Sequence, residues 1–188
     1  MSRVKWREGF DEAGHDSRET GKSIFIFFQQ QDCPGCERMR DITFKDPEVA
    51  EFMEDNFVPL AVDVAEAAEV AEKYNISWTP CYVIADTDLS EIEQFFGVLS
   101  PEDFIPSLRL SRGLASFHHE RFTEAAEDFE WVVENTEDKR VVPKARYYLG
   151  LSRFKETNDP EHLAKTIEFM KENYPGNQWT KKASQWAH

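Results

Sequence analysis

The sequence lacks the features that would direct it to a membrane or to a nucleic acid. No apolar run approaches the ~20 residues that a helix needs to cross a bilayer. Lysine and arginine are scarce, 22 against 36 aspartates and glutamates, so the net charge is −14. Such an acidic chain repels phosphate backbones and anionic lipids. We therefore expect a soluble protein with no nucleic-acid partner and no membrane partner.

Ligand and cofactor motifs are also missing. The chain has three cysteines and five histidines, with no second C-x-x-C and no H-x-x-x-H of the kind that completes a zinc site. It contains no phosphate-binding glycine loop, no dinucleotide fingerprint and no nucleophile elbow. We therefore expect neither a cofactor nor a metal.

The N-terminal residues, Met1 to Glu8, lack the apolar centre and the small-residue cleavage site of a secretory signal peptide. This predicts a cytoplasmic protein. Thiols are kept reduced in the cytoplasm, so a C-x-x-C there is more often catalytic or metal-binding than a structural crosslink.

The most informative stretch that is present is the dithiol motif Cys33-Pro34-Gly35-Cys36. It follows the apolar run from Ile24 to Phe28 and precedes a helical pattern, so the motif lies at a strand-to-helix junction. The amides at a helix N-terminus are unpaired and the helix dipole there is positive, which favours the thiolate form of a cysteine. The sequence thus predicts a redox-active dithiol.

The first hundred residues predict a mixed sheet covered by helices. An amphipathic segment precedes Gly21, and Asp46-Pro47 is typical of a helix start. Strand–helix–strand order implies parallel pairing of the first two strands, and the turn at Asp86 to Asp88 implies a final hairpin. The predicted strands are Ser23–Phe28, Phe57–Val64, Cys81–Ala85 and Glu91–Phe96, with helices at Pro47–Asn56 and Ala65–Tyr74.

From Ser100 onward the sequence predicts helices alone, with the second of them capped at Thr123. The charge changes as well: residues 1–110 hold 10 basic and 23 acidic side chains, whereas residues 111–188 hold 12 and 13. We therefore predict two domains, residues 1–99 and 100–188. Gly113-Leu114 and Gly150-Leu151 begin similar segments 37 residues apart, a period typical of paired helical repeats.

Residues 5–98 resemble the thioredoxin superfamily. The resemblance is carried by the apolar strand before the dithiol, a second strand that reaches Asp63, and Trp78-Thr79-Pro80 further along the chain. It implies an α/β fold, a thioredoxin-like mixed sheet flanked by helices and followed by an all-α extension of helical hairpins. It also implies a cis proline at Pro80 that lies against the dithiol.

The resemblance implies a thiol–disulfide oxidoreductase that reduces protein disulfides. Cys33 would be the nucleophile and Cys36 the resolving cysteine. Trp78, Thr79 and Pro80 would contact the substrate, with the Thr79 backbone free to pair with an extended peptide. A reductase or a low-molecular-weight thiol would then restore the dithiol.

Three departures from the family pattern bear on the tuning of the dithiol. Asp32 stands where relatives commonly have tryptophan, and its charge opposes ionisation of Cys33. Phe27 stands where many thioredoxins bury an acid. Cys81, directly after Pro80, adds a third thiol near the site or is a small buried apolar residue. Asp32, Pro34, Gly35 and Cys81 are thus the predicted tuning residues.

Residues 100–180 resemble tetratricopeptide repeats, although fewer than the ~3 repeats that stand alone. This resemblance implies an extension that packs on the first domain or binds a protein partner. Two alternatives to redox catalysis stay open. One is a non-catalytic adaptor or chaperone-like module, and the other is a metal site in which Cys33, Cys36 and Cys81 supply three thiolates.

Overall fold

A computed structural model describes residues 4–187 of the chain, in which four strands and nine helices form. Residues 1–3 and residue 188 lie outside the described residues. Part of the N-terminal stretch in which a signal peptide would occur is therefore not described. The strands are β1 (Ser23–Gln29), β2 (Phe57–Asp63), β3 (Cys81–Ala85) and β4 (Glu91–Phe96). The helices are α1 (Phe10–Thr20), α2 (Pro34–Asp41), α3 (Pro47–Asn56), α4 (Ala68–Lys73), α5 (Pro101–His118), α6 (Phe122–Asn135), α7 (Val142–Thr157), α8 (Glu161–Asn173) and α9 (Gln178–Ala183).

The four strands form one mixed sheet in the order β2-β1-β3-β4. Strand β1 pairs in parallel with β2, in a register that sets Ser23 opposite Phe57, and antiparallel with β3. Strands β3 and β4 form the antiparallel hairpin. The predicted fold class, with its crossover unit and closing hairpin, is confirmed.

Strand β1 is buried on both faces because it lies inside the sheet. Alternate residues of a strand point to opposite faces, so Ile24, Ile26 and Phe28 pack in one core cluster with residues of α1 and α4. Phe25 and Phe27 face the other side, where rings from several elements meet. These rings belong to Trp6, Phe44, Phe57, Tyr82, Phe95 and Phe104.

Two predicted element starts are wrong. The helix predicted from Ala65 begins at Ala68, because residues 63–67 form a turn in which the Asp63 carboxylate accepts the Ala65 amide at 2.9 Å. Helix α6 begins at Phe122 without a side-chain cap, and the Thr123 hydroxyl donates to Glu156 at 2.7 Å instead. In contrast, Asp46 caps α3 by accepting the amides of Glu48 and Val49.

The chain divides into two compact units, Met1–Ile105 and Pro106–His188. Helix α5 runs through this division without a break, and the predicted domains, residues 1–99 and 100–188, stay a prediction. The second unit is helical in all its described elements, and within it Asp128 of α6 is buried and accepts from Arg112 of α5 at 2.6 Å. Among residues 4–187, no helix is both long and apolar enough to cross a bilayer.

The two glycines that begin the similar segments allow close helix packing. A Cβ atom on Gly113 would lie 2.7 Å from the Phe129 ring, and one on Gly150 would lie 2.9 Å from Thr166 Cβ. Helix α7 therefore approaches α8 at Gly150 more closely than any larger residue allows. The tetratricopeptide likeness of these hairpins stays a prediction.

Replacing Gly150 by alanine should lower the free energy of unfolding by about 1–3 kcal/mol, because the added methyl group forces α7 and α8 apart. Gly14→Ala in α1 is the matched control: its Cβ would meet only the flexible end of Arg18, at 3.3 Å. The free energy of unfolding of that variant should rise by up to about 1 kcal/mol, because alanine favours the helix more than glycine does. Urea unfolding followed by circular dichroism measures both, and a Gly150→Ala protein as stable as wild type would contradict the packing argument.

Candidate active site

Cys33 is the N-cap residue of α2. Its backbone is extended, Pro34 occupies the first helical position, and the Cys36 amide donates to Cys33 Sγ at 3.1 Å. Proline has no amide hydrogen, so its place at the helix start leaves no donor unsatisfied. The sulfur therefore takes the position at which a capping oxygen usually sits, with the positive end of the helix directed at it.

Cys33 and Cys36 are joined by a disulfide, with their Cα atoms 5.3 Å apart. The side chains differ in access: Cys33 keeps 6% of its surface exposed, whereas Cys36 keeps none. An attacking thiolate can therefore reach the Cys33 sulfur, whereas the Cys36 sulfur is closed to solvent. This asymmetry suits a nucleophile at Cys33 and a resolving thiol at Cys36.

The loop before β3 lies against the dithiol. The Thr79–Pro80 peptide bond is cis, and the Thr79 hydroxyl donates to Cys33 Sγ at 3.5 Å. A Cβ atom on Gly35 would lie 3.0 Å from Pro80 Cδ and 2.9 Å from Val98. Gly35 therefore allows the proline to pack on the first turn of α2. Within residues 4–187, the Thr79 backbone makes no hydrogen bond to the rest of the chain.

Exposed apolar side chains flank Pro80. Trp78 is 76% exposed and Phe96 70% exposed, and Val98 is partly exposed beside Gly35. Phe96 is held here because it pairs with Cys81 across the hairpin, and the next residue, Gly97, donates its amide to Pro80 O at 3.0 Å. We call Trp78, Phe96 and Val98 the apolar rim.

Sequence reasoning singled out Trp78 but missed Phe96 and Val98. The adjacent pair Phe95-Phe96 in a predicted strand could have indicated that one of the two rings is exposed. Neighbouring strand residues face opposite ways, and Phe95 packs on Tyr82 with ring centroids 4.8 Å apart. Phe96 must then point away from that core.

Two of the departures from the family pattern lie in contrasting surroundings. Asp32 is exposed and adopts a left-handed backbone, φ 55°, in the turn before Cys33. Phe27 is buried, stacked on Tyr82 and edge-on to Phe44, so the position at which many thioredoxins have an acid is part of the aromatic core. The effect of Asp32 on Cys33 stays a prediction.

Cys81 is a buried free thiol that belongs to the same core cluster as Ile26 and Phe28. Burial raises its pKa to about 11, so it is a neutral thiol near pH 7. These surroundings favour the interpretation of Cys81 as a small core residue. Within residues 4–187 no group of three His, Cys, Asp or Glu side chains is arranged to hold a metal ion, and two of the sulfurs that the three-thiolate alternative needs are joined in a disulfide.

In the oxidised protein, Cys81 should resist alkylation by iodoacetamide at pH 8, because both its burial and its raised pKa of about 11 keep the thiolate scarce. The rate should rise about tenfold per pH unit until the pH approaches that value. Mass spectrometry of the labelled protein follows the reaction, with urea-unfolded protein as the control that labels readily. Rapid labelling of the folded protein at pH 8 would contradict this burial.

Comparisons with known proteins agree with this geometry. A thioredoxin from Thermus thermophilus is 28% identical and has a TM-score of 0.51, over 58% of this chain and 86% of that one. A candidate disulphide isomerase from Bacteroides thetaiotaomicron shares the fold at 24% identity, with a TM-score of 0.52 over 58% of this chain and 93% of that one. A search of curated proteins gave no match.

The family model of the thioredoxin-like domain matches residues 10–111, more than half of the chain. This range includes the dithiol at the start of α2 and the loop that carries Pro80. The chain therefore belongs to the thioredoxin-like domain family.

Proposed function

We propose that the chain is a thiol–disulfide oxidoreductase that reduces protein disulfides through Cys33 and Cys36. The observation that carries the proposal is the placement of the Cys33 sulfur at the N-terminus of α2, where it accepts the Cys36 amide at 3.1 Å. A hydrogen bond to a charged sulfur and the adjacent helix dipole both stabilise the thiolate. The thiolate is the form that attacks disulfides.

Reduction proceeds in two exchanges. The Cys33 thiolate attacks one sulfur of the substrate disulfide and forms a mixed disulfide, and the other substrate sulfur leaves as a thiolate that takes a proton from water. The Cys36 thiol then loses its proton to solvent and attacks Cys33 Sγ. The second substrate sulfur is released, two electrons have passed to the substrate, and Cys33 and Cys36 are joined as in this structure.

Substrate binding uses the loop beside the dithiol. The unpaired Thr79 backbone can pair with an extended peptide, as an added strand pairs with a sheet edge. The apolar rim offers Trp78, Phe96 and Val98 to the side chains of that peptide. Burial of these exposed surfaces on binding would favour a protein disulfide over a small soluble one.

Recycling requires an external electron donor, because the described chain carries no second dithiol. A reductase or a low-molecular-weight thiol attacks the Cys33–Cys36 disulfide and returns both thiols. We place this cycle in the cytoplasm, where thiol systems keep such donors reduced. The helical second unit is then available for a protein partner.

Replacing Cys33 by serine should reduce turnover to the rate of the uncatalysed reductant, because a hydroxyl at this position does not ionise near pH 7. A turbidity assay of insulin reduction by dithiothreitol measures this. Cys36→Ser should keep the first exchange and accumulate a mixed disulfide, seen as a mass increase under non-reducing conditions. Cys81→Ala is the matched cysteine control and should keep turnover within about twofold, since this thiol is neutral.

Unchanged turnover in Cys33→Ser would overturn the proposed function. If the wild-type chain failed to reduce disulfides, and a Cys33→Ser, Cys36→Ser protein still bound a client protein as wild type does, the non-catalytic adaptor would be the correct alternative. Circular dichroism of each variant checks that the fold is retained.

A further inference from the structure

The second unit contains a cleft of about 250 Å³ between α7 and α8 with a basic lining. Arg146 and Arg153 line it from α7, and His162 and Lys165 line it from α8. No acidic side chain is among its lining residues. This grouping of basic side chains is unexpected in a chain with a net charge of −14.

Arg146 packs on an aromatic ring and forms no direct ion pair within the described residues. Its guanidinium carbon lies 4.3 Å from the centre of the Phe169 ring, and its buried Nε atom has no hydrogen-bond partner. Burial lowers the pKa of this guanidinium, and the negative charges of Glu130 and Glu134, which do not pair with it directly, oppose that shift only in part. The ring contact offsets part of the cost of burial.

The other cations of the cleft have partners that an incoming anion can replace. Arg153 pairs with Glu130, and Lys165 pairs with Glu161 at 2.7 Å. Lys165 and Glu161 are well exposed, at 71% and 63%, whereas Arg153 and Glu130 are half-buried. An exposed ion pair contributes about 0–1 kcal/mol, so exchanging Glu161 for a ligand carboxylate on Lys165 costs little.

The two arginines lie at opposite ends of the cleft. They are seven residues apart on α7, which is about 10 Å along a helix. The contacts of Gly150 with Thr166 and of Arg146 with Phe169 set α7 and α8 in antiparallel register. His162 therefore lies toward the Arg153 end, with Lys165 between the two ends.

This backbone spacing of about 10 Å matches two acidic side chains three positions apart in a peptide with the polyproline II conformation, in which each residue advances about 3.1 Å and every third residue lies on the same face. The Phe169 ring and Leu149 give the cleft an apolar wall for the residues between them. Arginine also binds carboxylates in a two-pronged geometry that a point charge does not provide.

We propose that this cleft binds an acidic peptide segment of a partner protein, with one carboxylate on Arg146 and a second, three positions along, on Arg153 and Lys165. The cleft contains no cysteine, so this proposal does not depend on the redox function. It assigns the helical second unit a partner of defined chemistry.

The test uses the full chain and a fluorescein-labelled Gly/Ser peptide that carries two aspartates three positions apart. Fluorescence anisotropy at low ionic strength should show saturable binding, and the same peptide with asparagines should not bind. Arg146→Gln should weaken binding about tenfold, since it removes a hydrogen-bonded charge partner. Lys165→Gln should weaken it by about threefold, as expected for an exposed pair.

Lys139→Gln is the matched control, because it removes one exposed positive charge from the same unit outside the cleft. The affinity of this variant for the aspartate peptide should stay within about 1.5-fold of the wild-type affinity. Lys165 is exposed, so its variant remains informative if Arg146→Gln fails to fold, which circular dichroism would detect.

Three results would overturn the proposal. The first is equal affinity in wild type and in both cleft variants. The second is an equal loss in Lys139→Gln, which would indicate attraction to net charge alone. The third is a wild-type chain that does not bind the peptide but binds inorganic phosphate in a manner lost in Arg146→Gln, which would make the cleft a small-oxyanion site.

Discussion

The hydrogen bond from the Cys36 amide to Cys33 Sγ is the interaction on which the site depends. It forms because α2 begins at Pro34, after a four-residue turn that follows a strand buried inside the sheet. Helix α2 is in turn held by the chain that follows β4: the Leu99 amide donates to Met39 Sδ at 3.4 Å, and the Thr43 hydroxyl donates to Leu99 O at 2.6 Å. The geometry around the sulfur is therefore built by the fold rather than by the four motif residues alone.

The aromatic core beneath this site sets a limit on its proton chemistry. Phe27 contacts the rings of Tyr82 and Phe44, with centroids 5.8 and 5.0 Å away, and each such pair contributes about 0.5–1.5 kcal/mol beyond the burial of its area. At position 27, where many thioredoxins have a buried acid, this chain therefore has a phenylalanine that stabilises the core. We therefore expect the Cys36 proton to leave through water. Asp32 and Glu37, the carboxylates on either side of the dithiol in the sequence, are both exposed, so solvent screens their charges.

Much of the first unit could be predicted from local patterns, because those patterns and the tertiary packing favour the same structure. The apolar run of β1, the Asp46-Pro47 helix start and the hairpin turn are each specified by neighbouring residues. Competition between local signals explains the errors: an Ala/Glu-rich composition favoured a helix from Ala65, but the Asp63 side chain ties the Ala65 amide into a turn. Phe96, Val98 and the basic cleft were missed because each depends on segments distant in the chain. The cleft cations, in particular, alternate with other residues on two helices and form no basic run in the sequence.

The two units thus offer different chemistry, a dithiol with an apolar rim in the first and a cationic cleft in the second. The central claim is that the dithiol acts as a reductant, and the reduction potential of the Cys33–Cys36 pair tests it most directly. Equilibration of the full chain with defined ratios of reduced to oxidised dithiothreitol, followed by mass spectrometry of trapped thiols, gives this value. If the dithiol is a reductant, its reduction potential should be close to that of thioredoxin, about −270 mV. This value is lower than the potential of the cytosolic glutathione pool as measured by extraction. A reduction potential well above that of the glutathione pool would contradict a reducing role. The most strongly oxidising members of the superfamily have potentials of about −120 mV.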